Sequence, residues 1–202
     1  MQPAKINYKI YQGSTFQETL RWESETKTYV PISAITRDAP CVITTSAHTI
    51  PVGWRIRVTN VAGMKEINTT SDEIYYLVTG KTSTTLSLNK VNSLGFTAYT
   101  SGGVVEYNTP VSLTGFTAQM QIRETLESTT VIHQMTSAAG GGIQLNTTDS
   151  TIFLTISAAI TAGFSFDSAV YSLELTNASG VVTPFIAGNI TLVKEVTRRI
   201  QK

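Results

Sequence analysis

The chain has 202 residues, enough for one good-sized domain or two small ones. Only 14% are charged, and 15 Lys and Arg nearly cancel 14 Asp and Glu to a formal charge of +1. Such a balance supplies no broad field for a phosphate backbone or an anionic membrane, so neither is expected as a partner.

The vocabulary is that of strands and turns: Thr, Ser, Val and Ile dominate, Gly numbers 14, and long runs of helix formers are missing. "INYKIYQ" (6–12) alternates apolar and polar, Gly13-Ser14 breaks it, and "TFQETLRW" (15–22) alternates again. The expectation is two antiparallel strands joined by a tight turn. From residue 41 the segments are short and regularly punctuated: "CVITTS", "WRIRVTNV", "EIYYLVTG", "TTLSLNKV" and "GGVVEY". Short strands at this spacing suggest a small barrel or meander rather than βαβ units.

After residue 109 strands resume as "FTAQMQIRE", "TTVIHQM", "GGIQLNT", "STIFLTIS", "AVYSLELTN" and "VVTPFIAGNITLVKEV". In the last of these, Gly188 is expected to make a bulge or bend, and Pro184 to mark an edge or a strand start. A helix of a turn or so is expected only at "SAAITAGF" (157–164).

"VPIS" (30–33) and "TPVS" (109–112) are nearly the same phrase. An insertion is best tolerated where its ends meet at an exposed loop of the host. The expectation is therefore an all-β protein of two domains: a discontinuous antiparallel β-sandwich from 1–33 and 109–202, and a small inserted β-barrel or meander at 34–108.

Few residues suggest chemistry. Cys41 is the only cysteine, which excludes an intrachain disulfide and a thiolate metal cage. In "APCVITT" it has no neighbouring cation to activate it and reads as a small buried thiol. His48 and His133 lack metal-ligand spacing, Asp72-Glu73 is the only adjacent acidic pair, and the glycines at 102–103 and 140–142 do not open a helix. No catalytic residue, metal site or cofactor is expected.

The start of the chain has no apolar core of the kind a secretory signal needs, and no stretch reaches the length of a membrane span, which points to folding in a reducing cytoplasm. The four N-x-S/T sequons, at Asn68, Asn146, Asn177 and Asn189, carry no weight in that setting. Two features remain as candidate interaction sites. One is the basic C-terminal stretch with Arg198, Arg199 and Lys202, alongside Lys194. The other is Trp54, which could offer an aromatic platform to a glycan or fill the core of the small domain.

The outer segments carry "Y-K-I-Y-Q-G-S-T-F", "T-P-V-S-L-T-G-F-T-A-Q-M-Q-I-R", "G-G-I-Q-L", "Y-S-L-E-L" and "F-I-A-G-N-I-T-L-V-K-E-V-T". In that order they resemble the N-terminal sandwich domain of siphophage upper baseplate proteins and related small tail proteins. The middle segment, with "A-P-C-V-I-T-T-S-A-H-T-I-P-V-G", "G-M-K-E-I-N" and "F-T-A-Y-T-S-G-G-V-V", resembles a small β domain of phage tail and tail-fibre proteins. That domain is labelled after the catalytic-cysteine half-domain of ubiquitin-activating enzymes. The activity behind the label is not expected, because it needs nucleotide-binding and adenylation domains for which this chain has no sequence.

The resemblance implies a non-enzymatic structural component of a bacteriophage tail or baseplate, made in the bacterial cytoplasm and built into the virion. Its partners would be copies of itself and other tail proteins in a symmetric ring. Two alternatives stay open: a carbohydrate- or receptor-binding module of the tail, or a capsid decoration or head-completion protein.

Overall fold

The computed structural model describes residues 2–196. The strands are β1 Ala4–Lys5, β2 Tyr8–Tyr11, β3 Phe16–Arg21, β4 Glu23–Ile35, β5 Cys41–Thr45, β6 Arg55–Ala62, β7 Tyr76–Leu77 and β8 Gly80–Lys81. They continue as β9 Thr85–Leu88, β10 Ser101–Pro110, β11 Thr117–Arg123, β12 His133–Thr136, β13 Ile143–Asn146, β14 Thr151–Ile156, β15 Ser168–Thr176 and β16 Val182–Val193. Helical structure among the described residues is a 3-10 turn at Lys65–Ile67 and a single α-helical turn, α1 Ala158–Ala162, in which the Ile160 N–H donates to the capping Ser157 hydroxyl. The fold is all-β.

The chain divides into two compact units. One comprises the residues up to Arg21, Leu113–Thr147 and those from Thr151 onward; the other comprises Trp22–Ser112 with Thr148–Ser150.

In the first unit, a six-stranded sheet runs β1-β16-β15-β11-β12, with β2 also on β16, and a three-stranded sheet runs β13-β14-β3. Period-two alternation sends Ala118, Met120 and Ile122 of β11 and Ala169, Tyr171, Leu173 and Leu175 of β15 inward. Ile152, Leu154 and Ile156 of β14 are fully buried likewise. Each sheet thus offers one apolar face, and the two together make a sandwich core. Tyr8 bridges the layers: its ring stacks on Tyr171 at 5.2 Å and meets the Phe16 edge at 5.3 Å.

Three expectations for this unit change. The segments around Gly13-Ser14 are not a hairpin, because β2 pairs with β16 and β3 pairs with β14 in the other sheet. Ser14 N–H donates to the Tyr11 carbonyl (3.1 Å), and of the two central turn residues only Gly13 has positive φ, at 75°. A turn of that type splays its flanking strands instead of twisting them together.

The six-stranded sheet is mixed rather than antiparallel, since β1 and β2 lie parallel to β16. No turn joins these strands, so nothing forces an antiparallel return. The bulge in β16 lies between Pro184 and Ile186 rather than at Gly188. Gly188 stays in register, and its missing side chain admits the Ile6 carbonyl, which would lie 1.9 Å from a Cβ there.

The second unit is one seven-stranded, curled sheet in the order β7-β6-β10-β4-β5-β9-β8. Its concave side packs Val30, Ile43, Ile56, Val58, Leu86 and Val105 around Trp54 and Met64. The backbone of β4 is hydrogen-bonded to β10 from Pro31↔Val104 to Glu23↔Pro110. The neck therefore lies at Trp22 and Val111, where Val111 N–H donates to the Trp22 carbonyl at 3.0 Å. The expected boundary at 108/109 falls inside this ladder, and that at 33/34 falls inside β4, where the strand pairs with β5. "VPIS" and "TPVS" are not opposite one another, because Pro31 faces Val104 whereas Pro110 faces Glu23.

Moving the neck changes what can be excised. Removing 23–110 and bridging Trp22 to Val111 with a two-residue turn is expected to leave a soluble chain with a cooperative thermal transition. Removing only 34–108 strands most of β4 without its partner, and that product is expected to aggregate on gel filtration.

Candidate functional site

Trp54 is fully buried, and its indole N–H donates to the Asn108 carbonyl at 2.8 Å. It is a core residue and presents no platform to solvent, which corrects its reading as an interaction site. Arg198, Arg199 and Lys202 lie outside the described residues. Lys194 forms an exposed ion pair with Asp167 at 2.6 Å, a geometry that contributes little stability.

Cys41 is buried, its thiol is pushed to a higher pKa chiefly by burial, and it packs with the core of the second unit. Among the described residues no group of three or more His, Cys, Asp or Glu is arranged to hold a metal ion.

Both units carry concavities, of about 340 Å³ in the second and of about 300 and 310 Å³ in the first. On the convex face of the seven-stranded sheet, alternation turns Lys27, Arg55, Arg57 and Glu106 outward while Val30, Ile56, Val58 and Val105 point to the core. The pairing register Glu106↔Tyr29 and Glu106↔Arg57 sets Glu106 at the centre of the group. Lys27 donates to Glu106 Oε1, and Arg57 approaches the same oxygen at 3.4 Å while also pairing with Asp72.

Arg55 makes a two-pronged contact with Glu23 (2.8 and 3.2 Å) and lies 5.3 Å from the centre of the Tyr75 ring. These side chains border a cleft of about 340 Å³, with Asn108 in its wall. Sequence reasoning noticed Asp72 but not its partners. The available signal was the alternating "E-S-E-T-K-T-Y" of 23–29 set beside "R-I-R" of 55–57, and only pairing between β4, β10 and β6 makes these charges neighbours.

In the first unit, a concavity of about 300 Å³ lies between β2 and β3, where both strands end their sheets. Tyr8, Tyr11, Phe16 and Glu18 line it, and Tyr11 is 58% exposed. The Tyr8 hydroxyl is buried beside that of Tyr171 without reaching hydrogen-bond geometry, whereas Tyr171 donates to the Ile6 carbonyl at 2.9 Å. Burial and, secondarily, the Glu18 charge push the Tyr8 pKa up to about 12.

His48 lines none of these concavities and lies at a turn, where its Nδ1 accepts the Ile50 N–H at 3.2 Å. That bond requires an unprotonated Nδ1. Burial lowers the His48 pKa below the usual 6.5, and it does the same to His133 beside Phe164.

Two outcomes are expected. Glu106→Gln, which leaves the half-buried Arg57 short of a carboxylate, should lower unfolding free energy in urea by about 1–3 kcal/mol. Asp72→Asn, at a side chain 80% exposed, should stay within about 0.5 kcal/mol of the parent. A base with a depressed folded pKa contributes stability present above its unfolded value and lost as pH falls through the folded one. Stability should therefore drop on acidification from neutral pH to below 6.5. His48→Asn, which keeps an acceptor for Ile50 N–H but does not titrate, should flatten part of that drop in urea melts run across the pH range.

No protein-family model matches the chain, and no curated protein matches it in sequence.

Proposed function

We propose that the chain is a non-enzymatic structural component of a bacteriophage tail or baseplate, assembling with copies of itself and with other tail proteins into a symmetric ring. Two things support the reading. The ordered phrases of the outer and middle segments resemble those of phage tail modules, and the all-β architecture suits a protein that works by edge and loop contacts.

The observation that carries it is the open side of the sandwich. At one side the sheets are stitched together by a bridge between Thr136 of β12 and Gly142 next to β13. At the other, β2 and β3 each end a sheet. β3 has six residues, "FQETLR", without Pro, Gly or Lys to blunt it. Apart from the charges of Glu18 and Arg21 the edge is unprotected, and such an edge is a template for a strand from another chain. The seven-stranded sheet is different, because its terminal strands β7 and β8 have two residues each. Extension by strand addition is thus favoured on the sandwich.

Light scattering of the full chain tests the assembly step, with an oligomer that grows with concentration as the expected result. Consecutive strand amides point to opposite sides, so one of Gln17→Pro and Glu18→Pro removes a bond to β14 and the other removes only an outward amide. The second should keep its melting temperature and lose the oligomer. A chain that stays monomeric at millimolar concentration counts against ring assembly. Antibody labelling of virions in electron micrographs should mark the tail; labelling confined to the head would transfer the reading to a decoration or head-completion protein.

A further inference from the structure

We propose that the cleft on the convex face of the seven-stranded sheet binds a neutral saccharide. The inference stands apart from the reading of the sandwich as an assembly module, because every residue it uses lies within Trp22–Ser112. Its volume, about 340 Å³, falls within the range of small-ligand sites.

The charge arrangement selects the ligand class. Lys27, Arg55 and Arg57 face Glu23, Asp72 and Glu106, so three cations meet three carboxylates and the cleft has no net charge to offer. A charged ligand would lose its hydration there without a compensating field. A ligand with adjacent hydroxyl groups suits the same surface, since each hydroxyl both donates and accepts.

The ion pairs also hold their groups in fixed positions while leaving hydrogen-bonding capacity unused. Lys27 and Arg57 both converge on Oε1 of Glu106, which leaves Oε2 as an acceptor. Asn108 lines the cleft and uses its backbone carbonyl for Trp54, which leaves its side-chain amide with a donor and an acceptor end. Such groups are preorganised, so binding need not immobilise them.

Tyr75 supplies the apolar complement. It is 47% exposed despite its size, and the Arg55 guanidinium over its ring can cover only one of its two faces. A pyranose has the matching amphipathy, with a face of C–H groups and a rim of hydroxyls. Trp54, the aromatic residue that composition singles out, is enclosed in the core on the other side of the same sheet.

The test is saturation-transfer NMR on the full chain with methyl glucoside, methyl galactoside, methyl mannoside and N-acetylglucosamine. Inorganic phosphate and a lysine-rich peptide serve as charged competitors. Transfer to the ring C–H protons of at least one sugar is expected, with an affinity insensitive to added salt. Tyr75→Ala should weaken it about tenfold while Tyr75→Phe retains it, and Asn108→Ala should weaken it about fivefold.

Three results would overturn the proposal: no transfer to any of the four sugars, binding unchanged in both Tyr75→Ala and Asn108→Ala, or displacement of the sugar by either charged competitor. Loss of the oligomer in a β3 proline variant with sugar binding intact would show the two readings to be separable.

Discussion

The antiparallel ladder between β4 and β10 is the constraint on which the rest of the structure depends. It returns the chain, after a long excursion, to hydrogen-bonding distance of the point where it left, with Val111 against Trp22. That closure lets the sandwich sequence resume as if uninterrupted. The same ladder distributes side chains to two faces with a period of two. Val30, Ile32, Val105 and Tyr107 go to the core, while Lys27, Tyr29 and Glu106 go to the convex surface. A register slip of one residue would exchange these sets, burying the charges and exposing the core.

The two units manage their sheet edges differently. The curled sheet ends in two-residue strands on both sides, so it has little backbone left to pair. The sandwich is joined at one side through the Thr136–Gly142 bridge and left open at the other, where Gly13 carries the chain from β2 in one layer to β3 in the other. That turn is held from two directions. Gln12 donates to the Phe164 carbonyl at 2.8 Å, and the Thr161 hydroxyl donates to the Ser14 carbonyl at 2.8 Å. The short helix α1 therefore matters less as secondary structure than as a clasp on the crossing.

Electrostatics in the second unit follows from packing rather than from net charge. Glu106 is buried on a surface face because Lys27 and Arg57 cover it from the strands on either side. A carboxylate so placed needs both neighbours to offset its desolvation. The Arg55–Glu23 pair and Tyr75 border the same cleft, and the result is a surface of strong but mutually cancelled polarity. This suits recognition by hydrogen-bond geometry better than attraction at a distance.

Local chemistry determined a good deal by itself. Alternating apolar residues and turn-forming glycines made the all-β class, most strand positions, the short helix within 157–164 and the buried state of Cys41 legible, because each depends on a few neighbouring residues. The same signals misplaced the neck at "VPIS" and made a hairpin of Gly13-Ser14, because a repeated phrase or a tight turn does not say which strand lies alongside. They also drew attention to Trp54 over Tyr75, since size marks an aromatic residue but not which side of a sheet it lies on. Strand partners, register and the meeting of Glu106 with Arg57 and Lys27 were decided only in the tertiary structure, where backbone groups far apart in sequence satisfy one another and only one register buries the apolar face.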